Sequence, residues 1–211
     1  MSNIYLLNDQ KFDGVKNLPV FTINYLPTDI NFDDFDYIIF TSKNAIKAVD
    51  SFANNWKKIP SLVIAPNTAK VAKAYGGKVE FVGTKSYGDE FAVEILNIAK
   101  EKKLLFLRAK EVMSNLFDIL KHHNIDITQK IIYETIVLEL NKNKQPPPDS
   151  TIIFSSPSSV AGFLHNFVWL DSYKAVAIGK TTASSLPPYI NYNTAKIPSI
   201  KEAVKTAKCY I

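Results

Sequence analysis

The sequence predicts an α/β protein of two related lobes, each a parallel sheet flanked by helices, joined by a two-stranded β ribbon. Three observations lead there. Short, wholly apolar strands alternate with helix-length amphipathic segments, the pattern of a parallel sheet covered on both faces. Two β-rich segments, PVFTINYL (19–26) and KIIYETIVLEL (130–140), interrupt that alternation without a helix directly behind them. A unit of strand, hydroxyl-bearing loop and helix also recurs at a constant spacing of 114 residues (Ser42 to Ser156, Thr68 to Thr182).

In chain order, YIIF (37–40), SLVIA (61–65), KVEFV (78–82) and LLFL (104–107) read as buried strands. Helical spacing occupies 44–52, 68–75, 89–100 and 113–122 between and after them. The rhythm resumes with TIIF (151–154), a helix over 158–167, YKAVAI (173–178) and a helix over 181–186. The first β-rich segment ends in Pro27, Thr28 and Asp29, the second in NKNKQPPPDS, whose proline triplet 146–148 favours an extended connector. The predicted division is therefore 1–20 with 141–211 as one discontinuous lobe, 31–129 as the other, and 21–30 with 130–140 as the ribbon. IIFTSKNAIKAV (from Ile38) matches IIFSSPSSVAGF (from Ile152), and VIAPNTAKV matches AIGKTTASS in the same register, which is why the lobes are read as related.

Composition narrows the function. At 211 residues and 46% hydrophobic the chain is long and apolar enough for a proper core. One cysteine, Cys209, excludes a disulfide framework and a multi-cysteine metal site, and His122, His123 and His165 have no metal-ligand spacing. No apolar run is long enough to span a membrane and the first residues lack signal-peptide character, so a cytoplasmic protein with no membrane partner is expected. The net charge of +5 favours anionic partners. Arg108 is the only arginine and the lysines are scattered, which argues against nucleic acid and for a small polyanion.

Ligands of open α/β sheets bind beyond the carboxyl ends of the strands. The residues there are Thr41, Ser42, Lys43 and Asn44; Asn67 and Thr68; Ser86, Tyr87 and Gly88; Ser155, Ser156 and Ser158; and Lys180, Thr181 and Thr182. Each alone can be a helix cap. Together they describe paired anion cradles, since free N–H groups at helix starts bind carboxylate or phosphate. No dinucleotide fingerprint, P-loop or nucleophile elbow is present. The acidic residues Asp29, Asp33, Asp34 and Asp36 read as a solvated linker. Tyr133, on the second ribbon segment, is either a packing residue or a phenol able to protonate a leaving hydroxyl.

FTSKNAI, the Asn67-Thr68-Ala69 loop, LRAKEV, IIYET, FSSPSSV and AIGKTTA occur in the order and spacing of a known family, and on these pieces the chain resembles uroporphyrinogen-III synthase. The resemblance implies a monomeric enzyme with no cofactor or metal. Its substrate would be hydroxymethylbilane, a linear tetrapyrrole with acetate and propionate groups on every ring. The enzyme would remove the terminal hydroxyl as water, invert the last ring through a spiro intermediate and close the macrocycle. It also implies that Tyr133 assists departure of the hydroxyl. Thr41, Ser42, Lys43, Asn44, Thr68, Ser86, Ser155, Ser156, Ser158, Thr181 and Thr182 would fall on loops that bind substrate. Many relatives carry glycine and a second arginine after the Leu-Arg pair, where Ala109 and Met113 stand here, so Arg108 is given no part in binding. The rival reading is a two-lobed anion- or sugar-phosphate-binding module without this activity.

Overall fold

The computed structural model describes residues 3–85 and 87–209. In chain order the elements are β1 (Ile4–Leu6), β2 (Lys16–Asn17), β3 (Phe21–Tyr25), β4 (Tyr37–Phe40), α1 (Lys43–Phe52), β5 (Ser61–Val63), α2 (Pro66–Ala74), β6 (Val79–Val82), α3 (Gly88–Ala99), β7 (Lys103–Ala109), α4 (Leu116–His122), β8 (Asp126–Val137), β9 (Thr151–Phe154), α5 (Pro157–Asn166), β10 (Lys174–Ala177), α6 (Lys180–Ala183), β11 (Tyr192–Thr194) and α7 (Ile200–Lys208). The chain divides into two compact units, one of residues 1–22 and 135–211, the other of 23–134, so that it passes between them within β3 and β8.

The second unit is built on a sheet ordered β3-β8-β7-β4-β5-β6. From β8 to β6 every pairing is parallel. Beside them, Leu26 donates its N–H to Ile132 (2.9 Å) and Leu138 donates to Val20 (3.0 Å), a descending register that sets β3 antiparallel to β8. β3 and β8 are thus neighbours at the edge of this sheet, and the first half of β8 is one of its parallel strands. Alternate residues feed two cores. Ile38, Phe40, Val63, Leu105 and Leu107 pack with Ile46 and Val49 of α1 and Ala69 and Ala72 of α2. Ile39, Leu62, Leu104 and Phe106 pack with Phe91 and Ile95 of α3 and Leu116 and Leu120 of α4. Both faces are covered, which is why these strands are apolar throughout.

The first unit carries the parallel sheet β11-β10-β9-β1-β2. Ile152, Phe154 and Ala175 meet Val160 and Phe163 of α5 on one face; Ile4, Leu6, Ile153 and Val176 meet Ala203, Val204 and Ala207 of α7 on the other. β1, β2, β11 and α7 were not foreseen. Of these α7 had a readable signal: its N-cap Ser199 accepts the N–H of Glu202 (3.2 Å), and its buried residues fall at helical spacing. β1 is a three-residue strand, too short to show a pattern.

The repeat holds at the level of elements. β4 and β9 start at 37 and 151, α1 and α5 at 43 and 157, and α2 and α6 at 66 and 180, each pair 114 residues apart. Asp29, Asp33, Asp34 and Asp36 are exposed, as a solvated segment requires, but the segment is also tied to the sheet. Phe32 within it is buried, and the Asp36 carboxylate accepts the Lys103 N–H at 2.8 Å.

Candidate active site

In the second unit the site grows from the carboxyl end of β4. Thr41 follows the strand, and Ser42, extended at φ −149°, turns the chain into α1. The Ser42 Oγ accepts the N–H of Asn44 at 3.1 Å, so Ser42 is the helix cap and Asn44 its partner, while Lys43 is exposed in the first turn. Next along the sheet, α2 begins with Pro66 after the N-cap Ala65, and no side chain caps it. The sequence placed Thr68 at the junction of a loop with a helix beginning at that residue. It stands instead in the first turn of α2 with its side chain buried, because Pro66 starts the helix earlier than the apolar spacing indicates. Ser86 lies outside the described residues. Its neighbouring loop is held by Glu94, whose carboxylate accepts the Thr84 N–H (3.0 Å) and the Thr84 hydroxyl.

Tyr133 reaches this region through a bulge. β7 and β8 pair in constant register from Lys103↔Asp126 to Arg108↔Ile131, then skip one residue to Ala109↔Tyr133. Without the extra residue, Ile132 and Tyr133 would face opposite sides of the sheet. With it, both join the apolar cluster that contains Phe40 and Ile46. The Lys110 N–H fixes the bulge by donating to the Tyr133 carbonyl at 2.8 Å. Tyr133 is 7% exposed. Burial pushes the phenol above its ordinary pKa of 10.0, and the Ser42 side chain acts against that rise to a smaller extent. The ring is buried in the apolar cluster, as the packing reading of Tyr133 expects.

Arg108 is not a surface ion-pair residue. Its Nε donates to Gln129 Oε1 (2.7 Å) and its Nη1 to the carbonyls of Ala109 (2.9 Å) and Lys110 (3.0 Å), so it braces the strand end beside the bulge.

The first unit repeats the plan. Ser156 caps α5, its Oγ accepting the Ser159 N–H (3.2 Å) while the Ser159 Oγ accepts the Ser156 N–H (3.1 Å). The sequence picked out Ser156 and missed Ser159, whose three-residue spacing from Ser156 was the available signal. Ser155 precedes the cap and Ser158 lies in the first turn, both half-buried. Like α2, α6 starts without a side-chain cap, behind the N-cap Gly179. Thr181 is exposed, whereas Thr182 is buried inside the first turn and not in a loop. Of the helices that repeat between the units, α1 and α5 thus have starts capped by a side chain, and α2 and α6 have starts without a side-chain cap.

The histidines take no part in this arrangement. His122 ends α4, His123 follows it, and His165 is hydrogen-bonded to Glu139 on the surface at 2.7 Å. Among the described residues, no group of His, Cys, Asp and Glu side chains could hold a metal ion, and no helix is long and apolar enough to cross a membrane.

The family described as uroporphyrinogen-III synthase HemD matches the chain over residues 15–204. The chain is 27% identical over 191 residues to the porphyrin biosynthesis protein HemD of Ruminiclostridium josui, covering 82% of this chain and 38% of that one. The chain thus spans well under half the length of that relative. The crystal structure of uroporphyrinogen-III synthetase from Helicobacter pylori 26695 superposes with a TM-score of 0.86 at 31% identity, with all of both chains covered. A mutant uroporphyrinogen III synthase from the extremely thermophilic bacterium Thermus thermophilus superposes at 0.61 with 11% identity, over 100% of this chain and 98% of that one, and shares the fold.

Proposed function

The chain belongs to the uroporphyrinogen-III synthase family, and we propose on that premise that it converts hydroxymethylbilane to uroporphyrinogen III. The observation that carries the reading is the agreement of the family match, which spans nearly the whole chain, with a buried, neutral phenol beside a helix start.

Tyr133 is the proton donor. Its phenol gives a proton to the terminal hydroxyl of the substrate, which leaves as water. The carbon left behind is attacked by the last pyrrole ring at the ring carbon that already bears a bridging methylene. The bond from that ring carbon to the bridging methylene then breaks, and the methylene re-bonds at the ring's free carbon, which inverts the ring. Ring closure ends with loss of a proton from a pyrrole carbon, and the tyrosinate takes one back, so the enzyme returns to its starting state. A phenol held above its usual pKa is fully protonated near neutrality, the form this step needs.

Binding falls to the helix starts. The substrate is a polycarboxylate, and uncapped first turns at α2 and α6 offer N–H groups and the positive end of a dipole. Thr41, Ser155 and Ser158 are partly accessible, and Thr181 and Lys43 are exposed, so these side chains can add to the contacts. Ser42, Asn44, Ser156, Thr68 and Thr182 are engaged in caps or buried, and they contribute through the backbone they hold in place. Ser86 stays in this set on the resemblance alone. The free, exposed Cys209 fits a reducing compartment, and the reading is of a cytoplasmic monomer.

The test is consumption of freshly made hydroxymethylbilane in the presence of the protein. Loss of substrate faster than in buffer supports the reading. Loss at the spontaneous rate by folded protein contradicts it and favours the anion-binding module, which a titration with sugar phosphates would then reveal.

A further inference from the structure

The neighbouring strands β4 and β7 send the chain to opposite faces of the second unit's sheet. Helices α1 and α2, which follow β4 and β5, pack on one face; α3 and α4, which follow β6 and β7, pack on the other. Where adjacent strands part in this way, an open α/β sheet leaves a crevice beyond their carboxyl ends, and ligands bind in it. One wall of the crevice is the start of α1, with Thr41 and Ser42. The other is the segment 110–115 between β7 and α4, for which the sequence predicts no binding residue. That segment is pinned at both ends. The Lys110 N–H donates to the Tyr133 carbonyl (2.8 Å), its ammonium pairs with Glu134 (3.1 Å), and its carbonyl accepts from Arg108 Nη1 (3.0 Å). At the far end Asn115 donates its N–H and its side-chain amide to the Asp89 carboxylate (2.7 and 3.2 Å). Gly88 lies so close that a Cβ on it would fall 2.4 Å from Ser114 Cβ, which brings the start of α3 into the same wall. Between these anchors Val112 and Met113 are 41% and 80% exposed, and Tyr87, just before Gly88, is 50% exposed.

Resting on the reading of hydroxymethylbilane as the substrate, we infer that Val112, Met113 and Tyr87 form an apolar wall that takes the face of one of its pyrrole rings. Single apolar residues on a surface are ordinary. These three share one braced wall beside the crevice, where the backbone carrying them is ordered before any ligand arrives. The substrate has two kinds of surface. Its carboxylates suit N–H groups and ammonium groups, whereas the flat faces of its rings call for apolar or aromatic partners. The helix starts supply the first kind of contact and this wall supplies the second. A thioether fits the task, because an unbranched, polarizable side chain follows a ring that moves during the reaction and makes favourable contacts with π systems. The bond from the Lys110 N–H to the Tyr133 carbonyl sets the wall next to the proposed proton donor.

The experiment measures kcat and KM for hydroxymethylbilane, with type III isomer as the product followed, in variants whose exposed side chains change stability little. Met113→Gln keeps the length of the side chain and loses the thioether. Its KM should rise about threefold to tenfold, with kcat within about twofold and the thermal midpoint unchanged. Met113→Leu, which restores the apolar surface, should return KM to within about twofold of the parent. Val112→Thr replaces a methyl by a hydroxyl and should raise KM about twofold to fourfold. Val93, 59% exposed on α3 and away from the strand ends, is the control, and Val93→Thr should leave KM at the parent value. If Met113→Gln and Val112→Thr keep the parent KM, or Val93→Thr raises it as much, or Met113→Leu fails to restore it, the wall does not hold a ring and the inference fails while the activity stands. A parent that dimerises on size exclusion, and that Met113→Gln turns into a monomer, shows a contact between copies and overturns the inference as well. A parent that makes no type III isomer overturns instead the reading on which the inference rests.

Discussion

Tyr133 shows how the surroundings of one residue set its chemistry. An exposed tyrosine on a regular strand would be a surface residue. Here an extra residue in β8 turns the ring into the core. Tyr133→Phe keeps the ring and removes the proton, so kcat should drop by a factor of about 10²–10⁴ with KM nearly unchanged, measured by steady-state kinetics. Burial also gives the phenol a signature in stability. Its pKa is raised in the folded state, so the folded protein holds the proton more tightly than the unfolded chain. That contribution is complete below the ordinary value of 10.0 and is lost as pH rises through the higher folded value. Tyr25 and Tyr173 are raised in the same direction, chiefly by burial. Denaturation midpoints should therefore fall above about pH 10, and less steeply in Tyr133→Phe than in the parent.

At the scale of elements, the caps and close approaches decide which helices form and where. The reciprocal cap of α5 satisfies two backbone donors, and Ser156→Ala should cost about 1 kcal/mol, read as a lower thermal midpoint. Within α5, a Cβ on Gly162 would lie 2.6 Å from the Val20 carbonyl oxygen and 2.8 Å from Val20 Cγ2. Alanine would gain about 1 kcal/mol in helix propensity. The backbone must shift to admit it, at a cost of about 1–3 kcal/mol, so Gly162→Ala should be destabilising on balance in a denaturant titration.

These elements also mark what could be read beforehand. Apolar runs such as YIIF and TIIF fix their strands to the residue, because a strand buried on both faces has no polar position to blur its ends. Helix starts were later than the real ones by one or two residues at α1, α2 and α5, where Lys43, Pro66 and Pro157 occupy first-turn positions that periodicity does not register. The candidate hydroxyls lay near the right strand ends, but sequence could not tell the accessible Thr181 from the buried Thr182 beside it. The bulge at Ile132 had no sequence signal, since it depends on how β8 registers against a strand some twenty residues earlier.

For the whole molecule, the helices that repeat at 114 residues give each unit one start capped by a side chain and one start without such a cap. The excess of five positive charges comes almost wholly from lysine. That combination suits a flexible polycarboxylate better than a duplex, because N–H groups at helix starts take carboxylates singly while scattered ammonium groups attract the whole molecule. Attraction of this kind is screened, so raising ionic strength should increase KM for hydroxymethylbilane more than it lowers kcat.

The most direct measurement is the isomer composition of the cyclised product. Hydroxymethylbilane left to itself closes to the type I isomer, without inversion of the terminal ring. Incubated with this protein, oxidised and separated by chromatography, the product should be type III, in an amount that scales with protein. Type I alone, from folded protein and substrate shown to be competent, would contradict the account.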